Sequence, residues 1–326
     1  MALFSRSTPH KEDRGKTFLI IDVENGSVAT GLAHISAREE PKLFGEKRVH
    51  APLMTAVDAT ALAHSLDKAL EEALTHTSET AVYARNNAEH PEAGELSSAL
   101  VFLHAPWSSL VRSDQKLRWE FDQALMDLLH RRIATRIDPE TISYHPFGRA
   151  VAHGGQYISQ DPILIANMTG EIIELLLADQ GSILGRATMP LGHRTVLRTL
   201  ASHGNLTASE ADSALKVTHL HNAHPFIEPL NASAKHFADM FNTVAHDLLP
   251  EGGKVPHLII INAHHAGDWL ARALSRHVDT TLFTPGGTVR TLKARHLEPH
   301  VLVHPTTHDV PLMLETLFVH NAQHRS

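Results

Sequence analysis

The chain contains two short turns whose residue types could hold an anion or a metal ion. The first follows the apolar run "FLIID" and reads Asn25-Gly26-Ser27, with Asp22 at the end of the run. A phosphate-holding turn needs backbone N–H groups directed at the oxygens and small residues that let the phosphate approach, and Gly26 and Ser27 meet both needs. Asp22 could orient a magnesium-bound water. An ordinary hairpin turn with an exposed acid at Glu24 explains the same residues, because Asn-Gly is the strongest short hairpin signal.

The second turn lies in a segment that repeats the first. When "FLIIDVENGSVATGLA" is set above "ILIANMTGEIIELLLA" with a one-residue gap, Asp22 lies over Asn167 and Gly26 lies over Gly170. Both segments read as strand, polar residue, turn and strand. Such a duplication predicts two related α/β lobes, and a chance likeness between two hairpins is the alternative.

The paired hairpins resemble those of the actin-like ATPase superfamily, and more closely those of the bacterial FtsA and PilM proteins. The segment "GSILGRATMPLGHRTVLRTLA" resembles the strand, Pro-Leu-Gly and helix that follow the second turn in that family, and "HDVPLMLETLFVHN" resembles its last helix. The resemblance implies a two-lobed α/β fold of the duplicated ribonuclease H-like type, with a reduced insert in the first lobe. It also implies that the two turns face each other across a nucleotide cleft.

The resemblance assigns a set of residues to that cleft. They are Asp22, Asn25, Gly26, Ser27, Asn167, Thr169, Gly170 and Gly267, with Asp22 as the candidate magnesium ligand through water. No residue is assigned a catalytic role with confidence.

Each nucleotide loop departs from the family pattern. Glu24 replaces a glycine of the first turn, and its carboxylate would repel phosphate if it faced the site. Asn167 replaces an aspartate, and an amide offers magnesium no negative charge and cannot act as a base. Thr169 replaces a glycine, and only Gly267 remains of the Gly-Gly pair that lies against adenosine. The cofactor expected is therefore none, or weakly bound ATP and magnesium, and Asp22 is expected to fix the hairpin by bonding turn N–H groups.

Hydrophobic spacing predicts the elements that position the turns. The two hairpins are predicted at residues 17–35 and 162–178. Helices are predicted at residues 56–75, 116–133, 194–203, 207–217, 232–249, 267–277 and 309–319. Strands or extended segments are predicted at residues 81–84, 100–104, 141–151, 156–159, 256–263, 280–283 and 300–304. The last helix has few basic residues and is expected to pack on the second lobe.

These elements predict a domain organisation. Residues 1–15 form a flexible tail and residues 16–160 form the first lobe, with the insert at about 85–155. Residues 161–326 form the second lobe.

Composition narrows the functional classes. The 326 residues are 42% hydrophobic and 20% charged, the net charge is −7, and there is no cysteine. Disulfides and cysteine-ligated metals are excluded, and the negative charge argues against sequence-independent nucleic-acid binding. The first residues lack the apolar core of a signal peptide, and no apolar run approaches the ~20 residues of a membrane span. A cytoplasmic protein is expected, peripheral to the inner face of a membrane if a partner recruits it.

Three functions are compatible with these features. The first is an actin-like scaffold with a degenerate nucleotide cleft that docks the cytosolic tail of a membrane protein of the pilus or division machinery, and that could self-associate. The second is a working ATPase of the same fold. The third is a metal-dependent hydrolase that uses His219, His221 and His224, because alternate histidines on a strand could ligate zinc.

Overall fold

The computed structural model describes residues 15–53, 59–86, 96–113, 116–217, 226–262, 267–304 and 308–324. The predicted tail, apart from Gly15, and the histidine cluster at 219–224 lie outside the described residues.

The described part of the chain contains thirteen strands and eight α-helices. The strands are β1 (Lys16–Val23), β2 (Ser27–Ile35), β3 (Lys42–His50), β4 (Leu96–Leu103), β5 (Ser108–Ser113), β6 (Lys116–Phe121), β7 (Ile142–Pro146), β8 (Ile163–Met168), β9 (Ile173–Asp179), β10 (Ser182–Met189), β11 (Val255–Asn262), β12 (Phe283–Thr291) and β13 (Leu302–His304). The helices are α1 (Ala59–Asn86), α2 (Gln123–Ile133), α3 (Phe147–Gly155), α4 (His193–Gly204), α5 (Ala208–Val217), α6 (Ile227–Leu248), α7 (Gly267–His277) and α8 (Val310–His324).

Two mixed sheets are built on the same plan. The first has the order β13-β3-β2-β1-β4-β7 and the second the order β10-β9-β8-β11-β12. In each, a three-stranded antiparallel meander is followed by strands parallel to its first strand. The predicted two-lobed α/β fold, with each lobe opened by one of the paired hairpins, is confirmed.

The core explains why β1 and β8 read as continuous apolar runs. One face of the first sheet packs on α1 and α2, and one face of the second packs on α4, α6 and α7. The other faces share a core with α3 and α8, in which Ile20 of β1, Ile165 of β8 and Leu312 of α8 are buried. Strands buried on both faces carry apolar residues without alternation.

The C-terminal segment returns to the first sheet. β13 pairs in parallel with β3, and α8 contacts β1, β2, β3, α3 and β11. The last helix was expected to pack on the second lobe. It instead lies between the two sheets and contacts strands of both, so this expectation was wrong. The predicted lobe boundaries stay predictions.

The region of the predicted insert differs from the sequence expectation. Residues 116–133 form a strand and then a helix, because the side chains of 117–121 alternate between apolar and polar and Asp122 caps α2 by accepting a hydrogen bond from Leu125 N at 2.8 Å. β6 pairs with β5 as a separate two-stranded sheet. The extended segment predicted at 141–151 divides into β7 and α3.

Two other elements were misjudged. The strand predicted at 81–84 belongs to α1, which continues to Asn86. β3 had no sequence prediction, although it supplies the central cation of the site described below. Gly286 and Gly287 lie inside β12, where Gly286 has a positive φ of 82° and the register with β11 shifts.

Among the described residues, no helix combines the length and the apolar character needed to cross a membrane.

Candidate functional site

The two hairpin turns lie in direct contact. A Cβ atom built on Gly26 would lie 2.9 Å from the Gly170 Cα, and one built on Gly170 would lie 2.8 Å from the Gly26 Cα. Asn25 spans the contact, because its Oδ1 accepts a hydrogen bond from Glu171 N at 2.8 Å while its Nδ2 donates to Ala105 O at 3.3 Å. No gap is left between the backbones of the two turns.

Arg194 ties the turns together from the start of α4. Its Nη2 donates to Gly26 O at 3.1 Å and to Ala51 O at 2.5 Å, while its own backbone N donates to Gly170 O at 2.7 Å. The side chain is buried, and burial lowers its pKa although Glu171 and Glu24 oppose this. One residue therefore bonds the backbones of both lobes.

Asp22 lies at the end of β1 between two neighbouring strands. It is opposite Ala29 of β2 and Phe102 of β4, and its side chain is fully buried. Its carboxylate accepts a hydrogen bond from Arg48 Nη2 at 2.5 Å and contacts His104 Nε2. Burial works to raise the pKa of Asp22, but the nearby His104 and Arg48 outweigh it and lower that pKa. The expected bonds from Asp22 to turn N–H groups are not among its contacts in the described residues.

Arg48 is the central cation of the site. From β3 it donates to the Asp309 carboxylate at 2.6 and 2.9 Å and to Ser27 Oγ at 2.7 Å, in addition to Asp22. Its Nη1 also lies 3.6 Å from Glu24. Burial alone would lower the pKa of Arg48, but Asp309 and Asp22 raise it, so the guanidinium stays charged.

His104 joins the two residues that the repeat had aligned. Its Nε2 contacts Asp22, its Nδ1 lies 3.0 Å from Asn167 Nδ2, and its ring stacks on Phe147 at a centroid distance of 3.7 Å. Asn167 occupies in the second sheet the place that Asp22 occupies in the first, since it lies at the end of β8 between Glu174 of β9 and Ile261 of β11.

The remaining predicted site residues are inside the turns or near them. Ser27 Oγ donates to Glu24, which is buried, so the alternative of an exposed acid in the first turn was wrong. Thr169 Oγ1 donates to Ile172 O at 2.9 Å within the second turn. Gly267 is the first residue of α7, which follows β11 at the sheet edge where Asn262 is opposite Met168.

Three acids beyond the turns complete the cluster: Glu315 is fully buried, and Asp309 and Glu46 are partly buried. Asp309 accepts from Arg48 and Leu312 N at the start of α8, and its own N–H donates to Glu46 at 3.2 Å. Burial and the nearby Asp309 raise the pKa of Glu46 to about 9. Burial, Asp22 and Asp309 raise the pKa of Glu315 far above its ordinary value.

Sequence reasoning missed the side chains that hold the cluster together, namely Arg48, His104, Arg194, Asp309 and Glu315. A signal existed for His104, since it follows an apolar strand, and that strand lies parallel to β1 in the structure, where the carboxyl ends of parallel strands meet at one sheet edge. Arg194 follows the Pro-Leu-Gly segment that sequence reasoning had singled out. Nothing in the local sequence indicates that Glu315, inside an apolar helix, faces Asp22.

A cavity of about 270 Å³ lies beside the closed turns. The cavity is lined by Gly26, Ala51 and Arg194, together with residues of α5 and of the end of β3. Its volume is below the ~300 Å³ at which small-molecule pockets usually begin.

Comparisons with known proteins agree with this architecture. No protein-family model matches the chain, and no curated protein matches it in sequence at a significant level. Among solved structures, the ethanolamine utilization protein EutJ from Carboxydothermus hydrogenoformans is similar with a TM-score of 0.54 and 12% identity, over 93% of this chain and 89% of that chain. A PilM-PilN type IV pilus biogenesis complex is similar with a TM-score of 0.51 and 12% identity, over 94% of this chain and 97% of that chain. At such identities the likeness concerns the fold alone: the chain has the actin-like ATPase fold.

Proposed function

We propose that the protein is an actin-like scaffold whose nucleotide cleft is closed by its own side chains and which docks the cytosolic tail of a membrane protein of the pilus or division machinery. The observation that carries the proposal is the contact between Gly26 and Gly170, the two turns that would hold a phosphate between them.

The charges around Asp22 support the loss of nucleotide binding. Arg48 already bonds the Asp22 carboxylate, and the facing residue is the uncharged Asn167. The pair therefore offers a magnesium ion much less negative charge than two free carboxylates would. Glu24 adds a buried acid to the first turn, where a triphosphate would be repelled. The residues present do not fit a magnesium–nucleotide complex, so no catalytic step is assigned.

The proposed partner rests on the resemblance to PilM, whose solved complex contains PilN. Because the likeness concerns the fold alone, it does not indicate which residues contact the partner. The docking surface is therefore inferred from the exposed residues of this chain. We place it on the β5–β6 hairpin of the insert, where Leu117 is 51% exposed. Such recruitment would hold a cytoplasmic protein at the inner face of the membrane.

Isothermal titration calorimetry with ATP and magnesium tests the closed cleft. The scaffold proposal predicts no heat of binding up to millimolar ATP. Micromolar binding with turnover would instead establish the alternative, a working ATPase, and would show that the turns separate in solution.

Docking is tested with fluorescent peptides from the cytosolic tails of pilus and division membrane proteins. Leu117→Asp should abolish binding of the peptide that the wild type recognises. The control is Leu184→Asp, because Leu184 is similarly exposed at 56% but lies on β10 of the second sheet. Equal loss in both variants, or binding to no peptide, would contradict the assignment.

A further inference from the structure

The buried cluster around Arg48 contains more acid than base. Its five carboxyl groups belong to Asp22, Glu24, Glu46, Asp309 and Glu315. Arg48 supplies one permanent positive charge, Arg194 supplies a second that it shares between Glu24 and Glu171, and His104 adds at most one more. Buried carboxylates that lack a compensating charge are costly, so the cluster must take up protons or a cation.

Glu315 shows where a cation would be held. Its side chain is fully buried, and neither carboxyl oxygen is hydrogen-bonded to an N–H or hydroxyl group of the described residues; the carboxyl group of Asp22 is close enough to share a proton with it. One of these oxygens, a carboxylate oxygen of Asp22 and a ring nitrogen of His104 all lie within 4.8 Å of one another. A buried carboxyl group without a donor, directed at a second carboxylate and an imidazole, is an incomplete polar group in this fold.

We propose that Asp22, His104 and Glu315 form a binding site for one divalent transition metal ion of the zinc type. An imidazole nitrogen with carboxylate oxygens is a donor set that zinc accepts, at about 2.0–2.2 Å from each ligand. The three donor atoms lie within 4.8 Å of one another, which is close enough for one ion to contact all three. Magnesium is disfavoured, because it prefers an octahedron of oxygens with several waters, and all three side chains here are buried.

The surrounding side chains fit the role of outer partners. Arg48 bonds the Asp22 oxygen Oδ2, which leaves Oδ1 toward His104. Asn167 lies against His104 Nδ1, and when its amide presents the oxygen instead of the nitrogen, it accepts the Nδ1 proton and frees Nε2 for the metal. Asn167 stands where the family that the sequence resembles has an aspartate. An amide at this position can orient the His104 imidazole without adding another carboxylate to the five already in the cluster.

The site would have a structural effect. Asp22 lies near the end of β1, His104 follows β4, and Glu315 lies on α8, so one ion would join two strands of the first sheet to the helix that packs between the sheets. This inference does not rest on the proposed partner docking, which uses the β5–β6 hairpin.

The test uses the full chain without a histidine tag. Protein treated with a chelator is dialysed against Zn²⁺, Mn²⁺ or Mg²⁺, and the metal retained is counted by mass spectrometry. We expect one equivalent of zinc per chain and an increase in the melting temperature with zinc but not with magnesium. Retention of no stoichiometric metal would overturn the proposal.

Variants locate the ion. Glu315→Gln and His104→Gln should each weaken zinc binding at least 100-fold, and Asn167→Ala should weaken it about 10- to 100-fold, the usual effect of an outer partner. The matched control is His246→Gln, since His246 forms an exposed pair with Asp279 on the protein surface. Equal binding by wild type and Glu315→Gln would place the metal elsewhere and contradict the proposal.

A spectroscopic measurement keeps the proposal testable if a variant does not fold. X-ray absorption of the zinc-loaded wild type should show one imidazole nitrogen and oxygens at about 2.0–2.2 Å. A shell of several imidazoles would assign the zinc to other histidines and overturn the proposal.

Discussion

His104 lies between Asp22 and Asn167, with its two ring nitrogens directed at the two side chains. These residues occupy the next-to-last positions of equivalent strands of the two sheets, β1 and β8. In this chain the space between them is occupied by an imidazole that belongs to the protein. His104 therefore adds a side-chain contact between the lobes to the backbone contact between the two turns.

Removing the Arg48 guanidinium should be strongly destabilising. Arg48→Met leaves Asp22 and Asp309 without their bonded cation, and the loss of one partner of a buried ion pair typically costs about 3–5 kcal/mol. Urea unfolding followed by circular dichroism measures the change. The control is Arg132→Met, whose exposed pair with Asp67 should contribute far less. Similar losses for the two variants would show that Arg48 is not a buried charge centre.

The raised pKa of Glu46 predicts a pH-dependent stability. Since this carboxyl group holds its proton up to a pH of about 9 in the folded state and loses it near 4.5 when unfolded, its contribution is full below 4.5 and declines as the pH rises towards 9. Glu46→Gln removes this titration, so the variant should become more stable relative to wild type between pH 5 and 9, by up to about 1.4 kcal/mol per pH unit. Urea midpoints across this range measure the difference, and a constant difference would contradict the assigned pKa.

The fold was readable from the sequence because its signals are local or repeated. The Asn-Gly turn and the apolar runs of β1 and β8 specify their structure within a few residues. The capping pair at the start of α5, where Thr207 bonds Glu210, is equally local. The error at residues 116–133 arose because a strand and a helix of similar apolar content follow each other. Only the alternation of side chains before Asp122 separates them.

Only part of the site could be predicted from the sequence, because its charged residues come from distant parts of the chain. Asp22, Gly26, Asn167 and Gly170 were found from the repeat, but Arg48 bonds Asp309 across 261 positions and lies on a strand without a strong pattern. A sequence shows that Glu315 is an acid within an apolar helix. It does not show that the fold turns this acid toward another one.

Arg194 should contribute more to the joining of the lobes than its neighbour Arg198. Arg194→Met loses two charged hydrogen bonds to the carbonyl groups of Gly26 and Ala51, a loss of about 1.5–3 kcal/mol for each bond to a charged group. Arg198→Met removes a half-exposed pair with Glu171 and should cost less. Urea unfolding of both variants measures the difference. A larger loss of stability in Arg198→Met would contradict the role of Arg194 in joining the lobes.

A methyl group between the turns should force the lobes apart. In Gly170→Ala the new Cβ meets the Gly26 Cα at 2.8 Å, and because that neighbour is backbone it can move only if the turns separate. We expect a lower melting temperature together with a larger radius of gyration in small-angle X-ray scattering. The matched control is Gly31→Ala, whose Cβ first meets a Leu43 methyl group at 3.0 Å that can rotate away. If Gly170→Ala keeps both the wild-type melting temperature and the wild-type radius, the turns are not in contact in solution, and the proposal of a cleft closed by its own side chains fails with them.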